Sequence, residues 1–173
     1  MDEELGARAS NPADLERLLR ANARSMLRFA DFVLHDRSAA EDAVQEAFMI
    51  AWRQRTTLRD ETAFTPWLRT IVLHECLRWR RRRLFQVLGL TDRVMAPATP
   101  DPAVHIDLTR AVGRLSPKLR AVIFLHFYED LTLNQVASEL SIPESTAKTR
   151  LYEALLRLQR ALPGYAPSAG GKA

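Results

Sequence analysis

One cysteine, Cys76, stands alone in 173 residues, so no intrachain disulfide can form and a thiolate zinc site is not expected. Its apolar neighbours point to a small buried residue and not to a reactive thiol. No apolar run approaches the roughly 18 residues that a spanning helix needs, so no membrane insertion is expected. The leading M-D-E-E-L is acidic where a secretory signal is basic and then apolar, which predicts a cytoplasmic protein. The few glycines build no phosphate-cradling loop and no nucleophile elbow. His35, His74, His105 and His126 share no metal-ligand spacing. Neither an enzyme nor a bound cofactor is expected. Strand alternation and internal repeats are absent as well.

What the chain does have is charge in one place. The net charge is +4. From Met1 to Asp60 there are 9 Arg and Lys against 11 Asp and Glu, whereas Glu61 to Met95 holds 7 against 3. Arg78 and Arg80–Arg83 supply most of that excess, which predicts one polyanion-binding surface.

Helical spacing runs through nearly all the remainder, predicting an all-α protein. Asn11-Pro12 opens a first helix to about His35. Ser38-x-x-Glu41 reads as a capping box opening a second, to about Arg55. A third begins near Thr62, with Pro66 in its first turn, and runs to about Leu88. Gly89, Pro97 and Pro100 mark residues 89–101 as a flexible linker. Two small helical domains are therefore expected, at residues 11–88 and 102–162, with a disordered tail at 163–173. The second domain divides into four segments, with starts at Asp101 or Pro102, Ser116-Pro117, Thr132-x-x-Gln135 and Pro143.

On a helical wheel, Trp67–Arg83 separates into two faces. Leu68, Val72, Cys76 and Trp79 form an apolar stripe. Trp67, Thr70, His74, Arg78 and Arg81 form the other face, an aromatic followed by small polar groups and cations. That sequence of groups suits a single strand, which offers base faces and phosphates. The second helix has a core arc of Ala40, Val44, Ala47, Phe48 and Ala51. Asp42, Glu46, Met49 and Arg53 lie opposite, with Gln45 beside them, a mixture that resembles a docking surface.

The most specific signal is T-L-N-Q-V-A-S-E-L-S-I-P-E-S-T-A-K-T-R-L-Y-E-A-L. A short helix, a three-residue turn and a longer helix give the helix-turn-helix that sets its second helix in the major groove. Val136, Ala137, Leu140, Ile142, Ala147, Leu151, Ala154, Leu155 and Leu158 are the expected core. Ser145, Thr146, Thr149, Tyr152 and Glu153 face away from it, and Lys148 and Arg150 flank them as candidates for phosphates or guanine edges.

Together these segments resemble the extracytoplasmic-function group of bacterial sigma factors, over about Leu15–Leu162. A-E-D-A-V-Q-E-A-F-M-I-A-W is similar to that family's polymerase-docking domain. D-E-T-A-F-T-P-W-L-R-T-I is similar to the approach to its minus-ten helix, and I-P-E-S-T-A-K-T-R-L to its minus-thirty-five reader. The resemblance implies that Asp42, Gln45, Glu46, Met49 and Arg53 dock on core RNA polymerase. It places Arg59, Asp60, Glu61 and Phe64 around an extruded base of the non-template strand. Trp67, Arg69, Thr70, His74 and Arg78 would follow the minus-ten element, with Arg80, Arg81, Arg82 and Arg83 on duplex phosphates. An anti-sigma partner is implied too. Where the family commonly reads W-L-Y-R-I-A-R-N, this chain has W-L-R-T-I-V-L-H, and Ser145 replaces a usual glycine. The alternative is a stand-alone helix-turn-helix regulator, which needs neither a docking face nor an aromatic-basic one.

Overall fold

The computed structural model describes residues 12–58, 63–89 and 104–162; the side chains at 57, 84–89 and 104–107 are left out. Asn11, the base-capture positions Arg59, Asp60 and Glu61, the tail and, but for Gly89, the expected linker lie outside the described residues. Every regular element described is helical. The first half comprises α1 (Pro12–Leu34), α2 (Arg37–Arg53), a short 3-10 turn (Arg55–Thr57) and α3 (Phe64–Gly89). The second comprises α4 (Val104–Arg114), α5 (Pro117–Ile123), a π-helical extension (Phe124–Tyr128), α6 (Leu133–Glu139) and α7 (Glu144–Ala161).

Leu15, Leu19, Met26, Phe29, Ala30 and Val33 turn one stripe of α1 inward, at the three- and four-residue steps that share a helix face. The helix stops at His35, whose φ of 56° is left-handed. Asp36 then caps α2, its carboxylate accepting from the Ala39 amide at 3.1 Å. The cap is therefore Asp36 and not the Ser38 of the expected capping box. An aspartate just past a left-handed residue is already placed to take a free first-turn amide. Buried Ala39, Ala40, Ala43, Ala47 and Ala51 give α2 a low profile, and it packs against both α1 and α3. In α3, Leu68, Val72 and Cys76 are buried as expected. Trp79 is only half-buried, its ring lying 5.2 Å under the Arg83 guanidinium.

In the second half the local signals translate directly. Ser116 caps α5 with Pro117 at its first position, and Thr132 and Gln135 form a reciprocal capping box on α6. Ser141, at a φ of 51°, turns the chain between α6 and α7. Val136, Ala137, Leu140, Ala147, Leu151 and Ala154 are buried, but Leu155 is exposed. One residue past Ala154, it has rotated about 100° off the packed face.

The two halves close on each other. Phe124 meets Phe29 edge-on at 5.5 Å and Phe32 at 5.4 Å, and α1 packs on α5 while α3 packs on α6. The buried apolar residues of both halves form one continuous cluster.

Candidate nucleic-acid interface

Trp67 and Thr70 are half-buried at the amino-terminal end of α3, and His74, Arg78, Arg81 and Arg82 follow in the open. The steps of three and four residues set Trp67, Thr70, His74, Arg78 and Arg81 in a row along the helix. Phe64, expected at a base-capturing loop, is 1% exposed. Its ring stands 5.8 Å from that of Trp67, so it supports the tryptophan from the core. Arg78 stays half exposed while reaching the buried Glu75 at 3.4 Å. Leu73, one of the departures from the family pattern, points into the core. Of the departures at positions 73 and 74, only His74 reaches the surface.

Two expected contacts are already engaged. Arg69 is 4% exposed, ion-paired with Glu139 at the end of α6 and placed over the Phe29 ring at 5.9 Å. The Thr70 hydroxyl lies 3.1 Å from the carbonyl of Glu139 and equally close to that of Pro66. A wheel drawn for α3 alone leaves both residues unpartnered, because their partners come from the other half of the chain.

The outward residues of α2 divide between two sides. Gln45 and Met49 line an apolar groove with Ala23, Leu27, Phe48 and Trp52. Asp42 and Glu46 line a second groove with Trp79 and Arg82 of α3. Glu46 and Arg53 also share a third cleft with His74 and Arg78. The acidic residues of α2 and the cations of α3 thus belong to one two-helix surface.

On α7, Ser145, Lys148, Thr149 and Tyr152 are exposed, and Thr146, Arg150 and Glu153 are half-buried. Tyr152 is 69% exposed. The Thr149 hydroxyl donates to the Ser145 carbonyl at 2.8 Å, leaving its lone pairs outward. Glu153 is held by Arg157 at 2.6 Å, one turn further on. Asn134 of α6 donates to Glu144 at 3.2 Å, fixing the two helices at the turn.

Two titrating groups are displaced by burial. The Cys76 thiol is pushed up to about 12, by desolvation first and then by the neighbouring Glu75 carboxylate. It is an inert core group. Arg120 is brought down to about 10, by desolvation first and then by Arg80, and among the described residues its Nε and Nη1 have no hydrogen-bond partner.

Several surface residues escaped the sequence argument. Trp52 is 41% exposed beside Met49; its place in the quoted α2 motif was the available signal. Phe127 and Tyr128 are both 61% exposed on the π-helical extension, which no local pattern marks. Glu139 had no signal, since its role depends on tertiary contact.

Among the described residues, no helix is long and apolar enough to cross a membrane. Family models for Sigma-70 region 2 and Sigma-70 region 4 match residues 18–84 and 105–158. The chain is 33% identical to the ECF RNA polymerase sigma factor SigL of Mycobacterium tuberculosis, over 91% of its own length and 93% of that protein's. SigM of the same organism is 31% identical over 87% of this chain and 77% of its own. Among solved structures, the sigma factor RpoE from Bartonella quintana, in complex with the anti-sigma factor NepR, shares the fold. That match has a TM-score of 0.61 at 24% identity and covers 89% of this chain and 97% of the other. The helix pair with its aromatic-basic row, the helix-turn-helix and these relatives converge: the chain belongs to the extracytoplasmic-function (ECF) group of RNA polymerase sigma factors.

Proposed function

We propose that α2 docks on core RNA polymerase, α3 opens and holds the minus-ten element, and α7 reads the minus-thirty-five element. The observation that carries this division of labour is the cleft where Glu46 and Arg53 of α2 meet His74 and Arg78 of α3. Docking residues and strand residues share one packed pair of helices, so polymerase bound to α2 holds α3 at a set distance from DNA. Trp67 stacks on an unpaired base, worth about 1–3 kcal/mol, which helps to offset an unstacking cost of a few kcal/mol. His74 approaches base edges, while Arg78, Arg81 and Arg82 neutralise phosphates and release counterions. Arg59, Asp60 and Glu61 receive the extruded base. Downstream along the chain, Ser145, Thr146, Lys148, Thr149, Arg150, Tyr152 and Glu153 face the major groove.

The protein has no active site of its own in this reading, and polymerase supplies the chemistry in the cytoplasm. An anti-sigma factor restrains it. Support comes from the RpoE fold neighbour bound to NepR and from the exposed Met49 and Trp52 beside an apolar groove, a surface suited to a partner helix. Run-off transcription of a genomic library with purified core enzyme tests the whole reading. Promoter-dependent transcripts are expected. Specific duplex binding without any transcript identifies a stand-alone regulator instead.

A further inference from the structure

Among the side chains of α7 assigned to the major groove, one alone is an acid: Glu153. Its companions there are the hydroxyls of Ser145 and Thr149, the Tyr152 ring and the flanking Lys148 and Arg150. Ser145, Thr149 and Glu153 follow at steps of four residues and so line one strip of the helix, turned away from the buried Ala147, Leu151 and Ala154. A carboxylate brought against DNA meets a field of its own sign and cannot bind a phosphate. We propose that Glu153 selects a cytosine in the minus-thirty-five element by accepting a hydrogen bond from its exocyclic N4 amino group. Arg157 is the positioning residue that holds the carboxylate for that contact. The inference rests on the assignment of α7 to the minus-thirty-five element and names one base that it reads.

Elimination narrows the partner. An ionised carboxylate only accepts hydrogen bonds. In the major groove guanine N7 and O6 and thymine O4 are acceptors too, so cytosine N4 and adenine N6 are the base atoms with a proton to offer. Adenine's amino group lies beside N7, an acceptor that suits an amide and repels a carboxylate; cytosine's lies beside the C5–H edge, which does not. The structure meets two further conditions. The Glu153 side chain is 44% exposed, within reach of a donor in the groove. Arg157 Nη2 lies 2.6 Å from its Oε1, one turn further on, in the acid-before-base order that a helix favours. That pair weakens the repulsion from DNA and restricts the rotamers of a long side chain. A carboxylate has about four lone-pair sites, which leaves room for a second donor. Exposed pairs at this spacing also form without any ligand, so base selection is what separates a reader from an ordinary helix pair.

A promoter library randomised in the upstream element, each template barcoded downstream of its start, tests this base by base. Core RNA polymerase with the full chain transcribes it, and the run-off transcripts are sequenced. The wild-type chain is expected to favour cytosine by about tenfold at one position, the scale of a single mismatched pair. Glu153→Ala flattens that position and leaves the others. Glu153→Gln, an amide of the same shape, moves the preference to adenine, whose N6 and N7 an amide meets together. Arg157→Ala reduces the cytosine preference at the same position, and Arg157→Lys restores it. Identical preferences in wild type and both Glu153 variants overturn the proposal, as does a loss in Glu153→Ala spread evenly over the element. A lost preference for adenine in place of cytosine overturns the base assignment, and full selectivity in Arg157→Ala overturns the positioning role. A wild-type chain that yields no promoter-dependent transcript overturns the sigma-factor reading itself, an outcome distinct from all of these, and this inference falls with it.

Discussion

Trp67 and Arg120 mark opposite uses of a large side chain at a helix surface. Trp67 rests on Phe64 and packs on the edge of the core while keeping part of its ring accessible, so truncation removes the exposed stacking area along with that edge contact. Trp67→Ala is expected to slow promoter opening, followed by 2-aminopurine fluorescence, by an amount corresponding to about 1–3 kcal/mol. Binding to a minus-thirty-five duplex should be unaffected; equal losses in both assays would remove Trp67 from the strand-contacting set. Arg120 is a cation that folding disfavours. Its folded value near 10 lies below the ordinary 12.5, so the charged form is penalised at every pH below about 10 and relieved only above it. Arg120→Met keeps the volume and removes the charge. It is expected to stabilise the protein by about 1–3 kcal/mol, with the same gap in urea midpoints at pH 6 and pH 9. A gap that closes across that interval points to a different titrating group.

At the scale of elements, most of what is local was legible, although the Ser38 box lost the cap of α2 to Asp36, two residues earlier. Ser116 before Pro117 and the Thr132–Gln135 box are satisfied by amides within three residues, so a short window of sequence contains the whole interaction. Thr132→Ala is accordingly expected to cost about 1 kcal/mol, measured by chemical denaturation. Legibility fails where the partner is distant. Arg69 reads as a surface cation on an isolated wheel, yet its carboxylate lies 70 positions away at Glu139. Leu155 reads as core by residue type, and only the packing of α7 shows that its direction is outward. The division of α2 between two grooves was likewise hidden, because it depends on the angle at which α1 and α3 flank the helix. That division carries a prediction: Glu46, facing α3 cations, governs a charged contact with polymerase. Glu46→Lys should weaken core association by about 1 kcal/mol or more with helical content unchanged, as measured by fluorescence anisotropy and circular dichroism. Wild-type affinity would exclude this side of α2 from docking.

For the whole molecule, the decisive feature is that sequence and packing divide the chain differently. Proline and glycine near residues 89–101 separate two domains by composition, while the buried residues join them in one cluster. Phe124 sits where the difference is sharpest, on the second half but against Phe29 and Phe32 of the first, with Tyr128 stacked at 4.8 Å. If closure dominates in the free protein, the halves unfold together. Phe124→Ala then costs about 3–5 kcal/mol and lowers one shared transition by roughly 2–4 °C per kcal/mol. Calorimetry together with far-ultraviolet dichroism checks this, since a single cooperative unit gives coincident curves. A first-half transition that stays at its wild-type temperature while the second moves down would show independent domains, joined by chain and not by core.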